Sequence, residues 1–236
     1  MKFSYAWLAT YVDLPALFPV KGETGATSPA AGELANQLTS VGLSVEGIEP
    51  AAAGTEAADA VLDVEVTSNR PDCMNHLGLA REIAVKRGTT LRPPVFSFTE
   101  SLSPNGPRAS VKIDDPEGCP RFTARIIRGV KIGPSPEWLV RRLEAIGSRS
   151  INNVVDATNF CLWECGQPMH AYDLASVPGG EIHVRRARAG EKVVTLDGKE
   201  RDLDPEVLVI ADRSRAIGLA GIMGGLDTEV TKRTTD

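Results

Sequence analysis

The chain has 236 residues, of which 42% are hydrophobic and 24% charged, with a formal net charge of −5 at pH 7. These proportions are close to those of ordinary globular domains and argue against an intrinsically disordered protein. The negative charge argues against a protein that mainly coats a nucleic-acid backbone, although it permits a local basic surface.

The N-terminal hundred residues alternate between helical and extended patterns. Apolar residues recur at helical spacing in Gly32–Val41, and Pro71 is placed for the first turn of a helix that Gly88 ends, with Ser68 or Asn69 as its cap. The alternation in Val61–Val66 predicts a strand with one buried face. The predicted elements are helices at Ser4–Val12, Gly32–Val41 and Pro71–Gly88, strands at Leu43–Ile48 and Val61–Val66, and a loop at residues 50–60.

Residues 92–110 contain four of the 16 prolines and many small polar residues, which is typical of a linker. We therefore predict an N-terminal domain at 1–98, a linker at 99–110 and a second domain at 111–236. Ser135 and Pro136 mark the start of a helix, with Ser135 as its N-cap. The predicted elements are a helix at Ser135–Ile146 and strands at Ala109–Ile113, Arg121–Val130, Ile182–Arg186, Lys192–Leu196 and Val207–Ala211. The fold class is α+β, a small α+β domain followed by a larger mixed α/β domain.

The amino-acid sequence shows no targeting signal. No apolar run reaches the ~18 residues needed to span a bilayer, and the N-terminus lacks the cleavage site of a signal peptide. Four cysteines without a secretory signal predict reduced thiols. We expect a cytoplasmic protein with no membrane partner.

The stretch NNVVDATNFCLWECGQPMHAYD, residues 152–173, threads polar side chains through an apolar run at no regular period. Asp156 and Asn159 either bond to nearby backbone groups or wait for a ligand, because an unpaired buried polar group costs about 1–3 kcal/mol. The same alternatives apply to Thr158. His170 is either a hydrogen-bonded core residue or a functional side chain on a loop.

A glycine-rich loop follows at residues 219–225, LAGIMGG. Gly221 and Gly224 would let the backbone turn sharply and let a substrate approach it closely, or they form a tight hairpin. The loop lacks the pattern of a phosphate-binding fingerprint.

Arginines add two open alternatives. Arg149 is either a surface charge or a fork for a phosphate or carboxylate. The cluster Arg185, Arg186 and Arg188 is either a solvated strand edge or part of an RNA-facing surface. Cys161, Cys165 and His170 lack a fourth zinc ligand, so we predict no metal site, and no nucleophile elbow is present.

Four segments together resemble the beta subunit of bacterial phenylalanyl-tRNA synthetase. They are ELANQLTSVGLSVEGIE, EVTSNRPDCMNHLGLAREIAV, RSINNVVDATNFCLWECGQPMHAYDL and the glycine loop with its flanks, in the family's order and spacing. The resemblance implies pairing with an alpha subunit in a heterotetramer and an editing domain that hydrolyses tRNA(Phe) mischarged with tyrosine. It implies no cofactor in this chain, whereas ATP and Mg²⁺ serve the full heterotetramer.

The resemblance also carries the family's editing pocket onto five positions. His170 is expected to position the attacking water or the terminal ribose, and Thr158 and Asn159 to orient the aminoacyl group. Arg149 would contact the RNA end, and Gly224 would stay small so that the amino acid can enter.

Three departures from the family qualify these expectations. The tRNA-binding oligonucleotide-barrel module usually inserted after VEGIE is missing. The editing domain is incomplete at its C-terminal end, and the acidic residue expected to recognise the tyrosine hydroxyl would fall beyond Asp236. The alternative is a non-catalytic RNA- or protein-interaction module that keeps the editing fold.

Overall fold

A computed structural model of the protein describes residues 1–17, 28–51, 59–99 and 109–236. The chain forms two compact units, each built from two segments. The first contains Met1–Phe98 and Pro134–Met169, and the second contains Thr99–Gly133 and His170–Asp236. Residues 134–169, which the sequence assigned to the second domain, therefore belong to the first unit. Most of the predicted linker, 100–108, and of the predicted loop at 50–60, 52–58, lies outside the described residues.

The first unit combines a three-stranded antiparallel sheet, in the order β1-β3-β2, with five helices. Its strands are β1 (Lys2–Ser4), β2 (Val45–Pro50) and β3 (Ala60–Val64). Its helices are α1 (Tyr5–Leu8), α2 (Pro29–Ser40), α3 (His76–Arg87), α4 (Glu137–Ala145) and α5 (Asn153–Cys165).

The predictions for α2 and β2 are confirmed, and three others need correction. The first helix is a single turn, because Lys2–Ser4 pairs with β3 and the Ser4 hydroxyl caps the turn by accepting the Trp7 N–H at 3.0 Å. Strand β3 is central and buried on both faces, so its alternation does not mark a solvent face. Pro71 begins a short 3-10 turn, and α3 starts only after Asn75, whose side chain accepts the Gly78 N–H at 2.7 Å.

Aromatic rings explain why residues 134–169 pack into the first unit. The indole of Trp7 stacks on the ring of His76 at 3.9 Å and on that of Phe160, from α5, at 4.8 Å. His76 is fully buried and bonded at both nitrogens, with Nδ1 2.8 Å from the Trp163 carbonyl and Nε2 3.3 Å from the Ser4 N–H. Burial lowers the pKa of His76 to about 3, so the ring is neutral and acts as part of the core.

The second unit contains a five-stranded sheet in the order β10-β9-β8-β5-β4 and a separate hairpin, β6-β7. Only the β4–β5 pair is parallel. The strands are β4 (Ser110–Ile113), β5 (Glu181–Arg186), β6 (Lys192–Val194), β7 (Glu200–Asp202), β8 (Leu208–Ala211), β9 (Ala216–Leu219) and β10 (Met223–Gly224).

Four of the five strands predicted for this region are confirmed, and so is the α+β class. The predicted strand at Arg121–Val130 is wrong. Gly129 has a φ of +67°, which ends an extended conformation, and Val130 N–H bonds to the Thr235 carbonyl without a ladder.

All four cysteines are free. Among the helices of the described ranges, none is long and apolar enough to cross a membrane.

Candidate functional site

Helix α5 carries three of the polar side chains that the sequence singled out. Asn152 caps it by accepting the N–H groups of Val154 and Val155 at 3.0 Å, and Gly166 ends it with a φ of +75°. The helix thereby fixes the direction in which Asp156, Thr158 and Asn159 project.

Asp156 is a structural residue. It is fully buried, and its carboxylate accepts hydrogen bonds from the hydroxyls of Ser135 and Ser150 and from the Ile151 N–H at 2.8 Å. The predicted N-cap role of Ser135 is wrong for the same reason, because its hydroxyl bonds to Asp156 and helix α4 has no side-chain cap.

Thr158 and Asn159 keep hydrogen-bonding capacity. Both side chains are half-buried. The Thr158 hydroxyl donates to the Val155 carbonyl at 2.7 Å, which leaves its oxygen lone pairs available as acceptors. The Asn159 amide makes no hydrogen bond with any residue in the described ranges, and Arg149, exposed on the loop before α5, makes neither a hydrogen bond nor an ion pair there.

His170 lies in the second unit, at the end of the irregular segment that follows α5. Its ring meets that of Tyr172 edge to face, with centroids 4.7 Å apart. Neither imidazole nitrogen has a hydrogen-bond partner among the residues that the structure describes. His170 is exposed, so it is not a core residue. The neighbouring protein still displaces part of the solvent around the ring, which lowers the pKa of His170 below its ordinary value.

The glycine-rich loop is a tight hairpin between β9 and β10, as one of the two interpretations proposed. Gly221 forms its turn with a φ of +70°, and the Ile222 N–H donates to the Leu219 carbonyl at 3.1 Å. Gly221 is exposed, so its position explains the turn and gives no evidence of substrate contact.

Gly224 and His170 lie in direct contact. A Cβ atom added at Gly224 would lie 2.3 Å from both Cε1 and Nε2 of His170. The next residue, Gly225, also leaves no room for a side chain. A Cβ atom added there would lie 2.6 Å from the backbone carbonyl oxygen of Ile217. The second unit therefore places an imidazole that has no hydrogen-bond partner among the described residues against a strand that has no side chain at that point. Such a ring can hold a water molecule or a ligand hydroxyl.

Sequence reasoning missed Tyr172. Burial raises the pKa of its phenol to about 12, and the ring limits the orientations open to His170. The only signal was its spacing, two residues beyond the histidine on an irregular segment.

Each arginine of the cluster at the end of β5 is bonded to an acceptor within the protein. Arg185 is buried and bonded to both oxygens of Glu191, at 2.8 and 2.7 Å. Arg186 pairs with Asp115, and Arg188 donates to the Ser214 carbonyl at 3.0 Å. These three guanidinium groups are therefore structural.

One cluster of potential metal ligands occurs in the described part of the chain, formed by Asp72, Cys73 and Glu82. Arg70 lies among them, with Nη2 2.9 Å from Asp72 Oδ2, 3.0 Å from Glu82 Oε1 and 2.9 Å from Cys73 Sγ. The guanidinium already supplies the positive charge that these carboxylates require.

Comparisons with known proteins cover the whole chain. The B3/4 domain family matches residues 118–236, which include all six predicted site residues. The chain is 44% identical over all its residues to the phenylalanine–tRNA ligase beta subunit of Rhodopirellula baltica and covers 32% of it. Over 75% of its residues it is 53% identical to the subunit of the same name from Anaeromyxobacter dehalogenans, of which it covers 22%. It thus spans about a third or less of these relatives.

A solved structure also matches, an N-terminal fragment of the phenylalanyl-tRNA synthetase beta subunit from Pyrococcus horikoshii. The TM-score is 0.46 and the sequence identity 14%, over 100% of this chain and 65% of that one.

Proposed function

Because this chain belongs to the B3/4 domain family and forms part of a phenylalanine–tRNA ligase beta subunit, we propose that it contributes an editing hydrolase. The reaction is hydrolysis of the ester that joins tyrosine to the 3′-terminal ribose of tRNA(Phe). The partner is the alpha subunit, which this chain supports in the synthesis of Phe-tRNA(Phe).

The observation that carries the proposal is the contact between His170 and Gly224. Hydrolysis of an aminoacyl ester needs a water molecule held beside the carbonyl carbon and a route for its proton. A neutral imidazole with unbonded nitrogens can accept a hydrogen bond from that water and orient it. The water oxygen bonds to the carbonyl carbon, the bond between that carbon and the ribose oxygen breaks, and the water proton ends on the ribose hydroxyl.

Gly224 supports the same reaction by its lack of a side chain. Any Cβ there would push the His170 ring away, because the two would lie 2.3 Å apart. We assign to Gly224 the task of keeping the imidazole in place and leaving room beside it.

The residues of the first unit have separate proposed roles. The Asn159 amide offers hydrogen-bond donors and an acceptor to the aminoacyl group, and the Thr158 oxygen offers acceptor lone pairs. Arg149 offers a cation to the RNA end. A site that pairs the hydroxyl of tyrosine leaves polar groups stranded when phenylalanine binds, and such discrimination reaches about 10⁴–10⁵.

The test is deacylation of Tyr-tRNA(Phe) by the assembled full-length enzyme carrying His170→Ala. Loss of a positioned acid–base group reduces the rate by about 10²–10⁴-fold. His183→Ala is the matched control, since His183 belongs to the same unit and its nitrogens lie 3.6 and 3.8 Å from the carboxylates of Asp114 and Glu181.

Phe-tRNA(Phe) synthesis should persist in both variants. Deacylation that is equally fast in His170→Ala and in the parent enzyme would remove this residue from the reaction. If tRNA still binds and no substitution of the proposed site residues changes the rate of hydrolysis, the chain is a non-catalytic RNA- or protein-interaction module.

A further inference from the structure

Residues 121–131, RFTARIIRGVK, have a charge opposite to that of the whole chain. They contain four cations and no acidic residue, in a protein whose net charge is −5. All four cationic side chains, those of Arg121, Arg125, Arg128 and Lys131, are exposed. A local concentration of positive charge therefore stands on an acidic protein.

Two hydrogen bonds, one to a backbone carbonyl and one to a side-chain carboxylate, join this segment to the stretch that follows Lys232 and Arg233. The Val130 N–H donates to the Thr235 carbonyl at 2.8 Å, and the Gly129 N–H donates to Asp236 Oδ1 at 3.1 Å. Arg128 and Lys131 flank these contacts, and Lys232 and Arg233 lie just before them in the chain. We call these four residues, Arg128, Lys131, Lys232 and Arg233, the basic patch.

The turn that carries Lys232 and Arg233 is closed by hydrogen bonds of Thr234. Thr234 is buried, its N–H donates to the Thr231 carbonyl at 3.0 Å, and its hydroxyl accepts the Thr231 N–H at 2.9 Å. The side chains of Lys232 and Arg233 are exposed and form no ion pair within the described ranges. The hydrogen bonds between Thr231 and Thr234 therefore define the backbone conformation from which Lys232 and Arg233 project.

The same turn is bonded to the segment that carries the imidazole. The Thr234 hydroxyl donates to Asp173 Oδ2 at 2.7 Å, and the Leu174 N–H donates to the Asp236 carbonyl at 3.1 Å. Asp173 follows His170 by only three residues. The turn that carries half of the basic patch is therefore hydrogen-bonded to the segment that begins at His170.

Four arginines of the second unit are neutralised by carboxylates. Arg185, Arg186, Arg213 and Arg215 pair with Glu191, Asp115, Glu181 and Asp227 respectively. Those four cations already have a counter-charge, whereas Lys232 and Arg233 form no ion pair within the described ranges and are displayed to solvent.

We propose that the basic patch binds the phosphates of the RNA strand whose aminoacylated end reaches His170. The identity of the ligand as RNA rests on the proposed function, whereas the binding step is separate from hydrolysis. Consecutive phosphates require exposed cations along a line, and each phosphate neutralised by Lys or Arg releases counterions.

The experiment measures the affinity of the assembled full-length enzyme for uncharged tRNA(Phe) as a function of salt. Two double variants, Lys232→Gln/Arg233→Gln and Arg128→Gln/Lys131→Gln, remove the patch in halves. Each should weaken binding about tenfold and reduce the slope of log Kd against log salt by ~0.7–0.9 for each phosphate that the variant no longer neutralises. The matched control is Arg186→Gln/Arg213→Gln, which removes two exposed arginines already paired with Asp115 and Glu181; it should change Kd less than twofold.

The outcomes separate this proposal from the proposed function. His170→Ala should slow deacylation by about 10²–10⁴-fold and leave the salt slope unchanged. Unchanged Kd and slope in both patch variants, with thermal unfolding like that of the parent, would overturn the RNA-binding role. Loss of alpha-subunit assembly with unchanged tRNA affinity would also overturn it, because it would assign the patch to a protein interface.

Discussion

Replacing Glu191 with glutamine should destabilise the second unit by about 3 kcal/mol at pH 7. Glu191 forms a bidentate pair with Arg185, and both side chains are only 10% exposed. The carboxylate also accepts the N–H groups of Arg188 at 2.8 Å and Ala216 at 2.9 Å. Ala216 begins β9, so the pair anchors the strand that leads into the hairpin of Gly224.

The magnitude follows from the pKa of Glu191. Hydrogen bonds from Arg185, followed by those from the two backbone N–H groups, lower it from 4.5 to about 2. At 1.36 kcal/mol for each pH unit, this stabilises the folded state by about 3 kcal/mol. Because the folded pKa is depressed, the contribution is fully present above about pH 4.5 and is lost as the pH falls towards 2.

Glutamine also leaves a buried guanidinium without its counter-charge, and breaking a buried pair by removing one partner costs about 3–5 kcal/mol. Within the described part of the chain Arg185 Nε lacks a hydrogen-bond partner, so the guanidinium is incompletely bonded even before the carboxylate is removed.

Urea unfolding of the parent and of Glu191→Gln at pH 7 measures the difference directly. The matched control is Glu200→Gln on the neighbouring hairpin, whose pair with Lys192 is 60% and 53% exposed and should contribute less than about 1 kcal/mol. The double variant Arg185→Met/Glu191→Gln should be less destabilised than Glu191→Gln alone, because it leaves no guanidinium without its counter-charge. Equal stability of Glu191→Gln and Glu200→Gln would refute the reasoning.

Three further predictions concern stability. Gly225→Ala should unfold at a lower temperature than the parent, because the new Cβ would lie 2.6 Å from the Ile217 carbonyl, which is backbone and cannot swing away; thermal unfolding monitored by circular dichroism checks this, and an unchanged midpoint would contradict it. Asn152→Ala should cost about 1 kcal/mol, the usual value for removing an N-cap, measured by urea unfolding with Asn152→Asp as the variant that keeps the cap. The free energy of unfolding should fall as the pH drops from 6.5 towards the folded pKa of His76, about 3, because the core disfavours the protonated ring. His76→Phe should lose that pH dependence. A parent protein whose free energy of unfolding is constant between pH 6.5 and 4.5 would contradict the prediction.

The fold could be predicted where a local signal decides the structure. Gly42 and Gly88 end helices at the expected places with φ values of +86° and +65°. Strands β5, β6 and β8 follow the expected runs of apolar and β-branched residues. These signals act within a few residues, so periodicity alone reveals them.

Long-range contacts explain the failures. Ser135 looks like an N-cap until the buried carboxylate of Asp156, 21 residues away, takes its hydroxyl. The segment 134–169 cannot be assigned to the first unit without knowing that Phe160 stacks on Trp7.

The candidate site shows the same division. The sequence marked His170 and Gly224 as unusual, and the structure adds that they touch. A polar residue that breaks the apolar pattern can serve the fold or a ligand, and spacing alone does not separate the two. Asp156 accepts three hydrogen bonds from within the protein, whereas the Asn159 side chain makes none in the described ranges.

The interleaving of the two units bears on how the chain is made. Trp7 and His76 emerge from the ribosome long before Phe160 and Trp163, the residues that cover them. A nascent chain of one hundred residues therefore carries an uncovered aromatic surface until helix α5 has been translated.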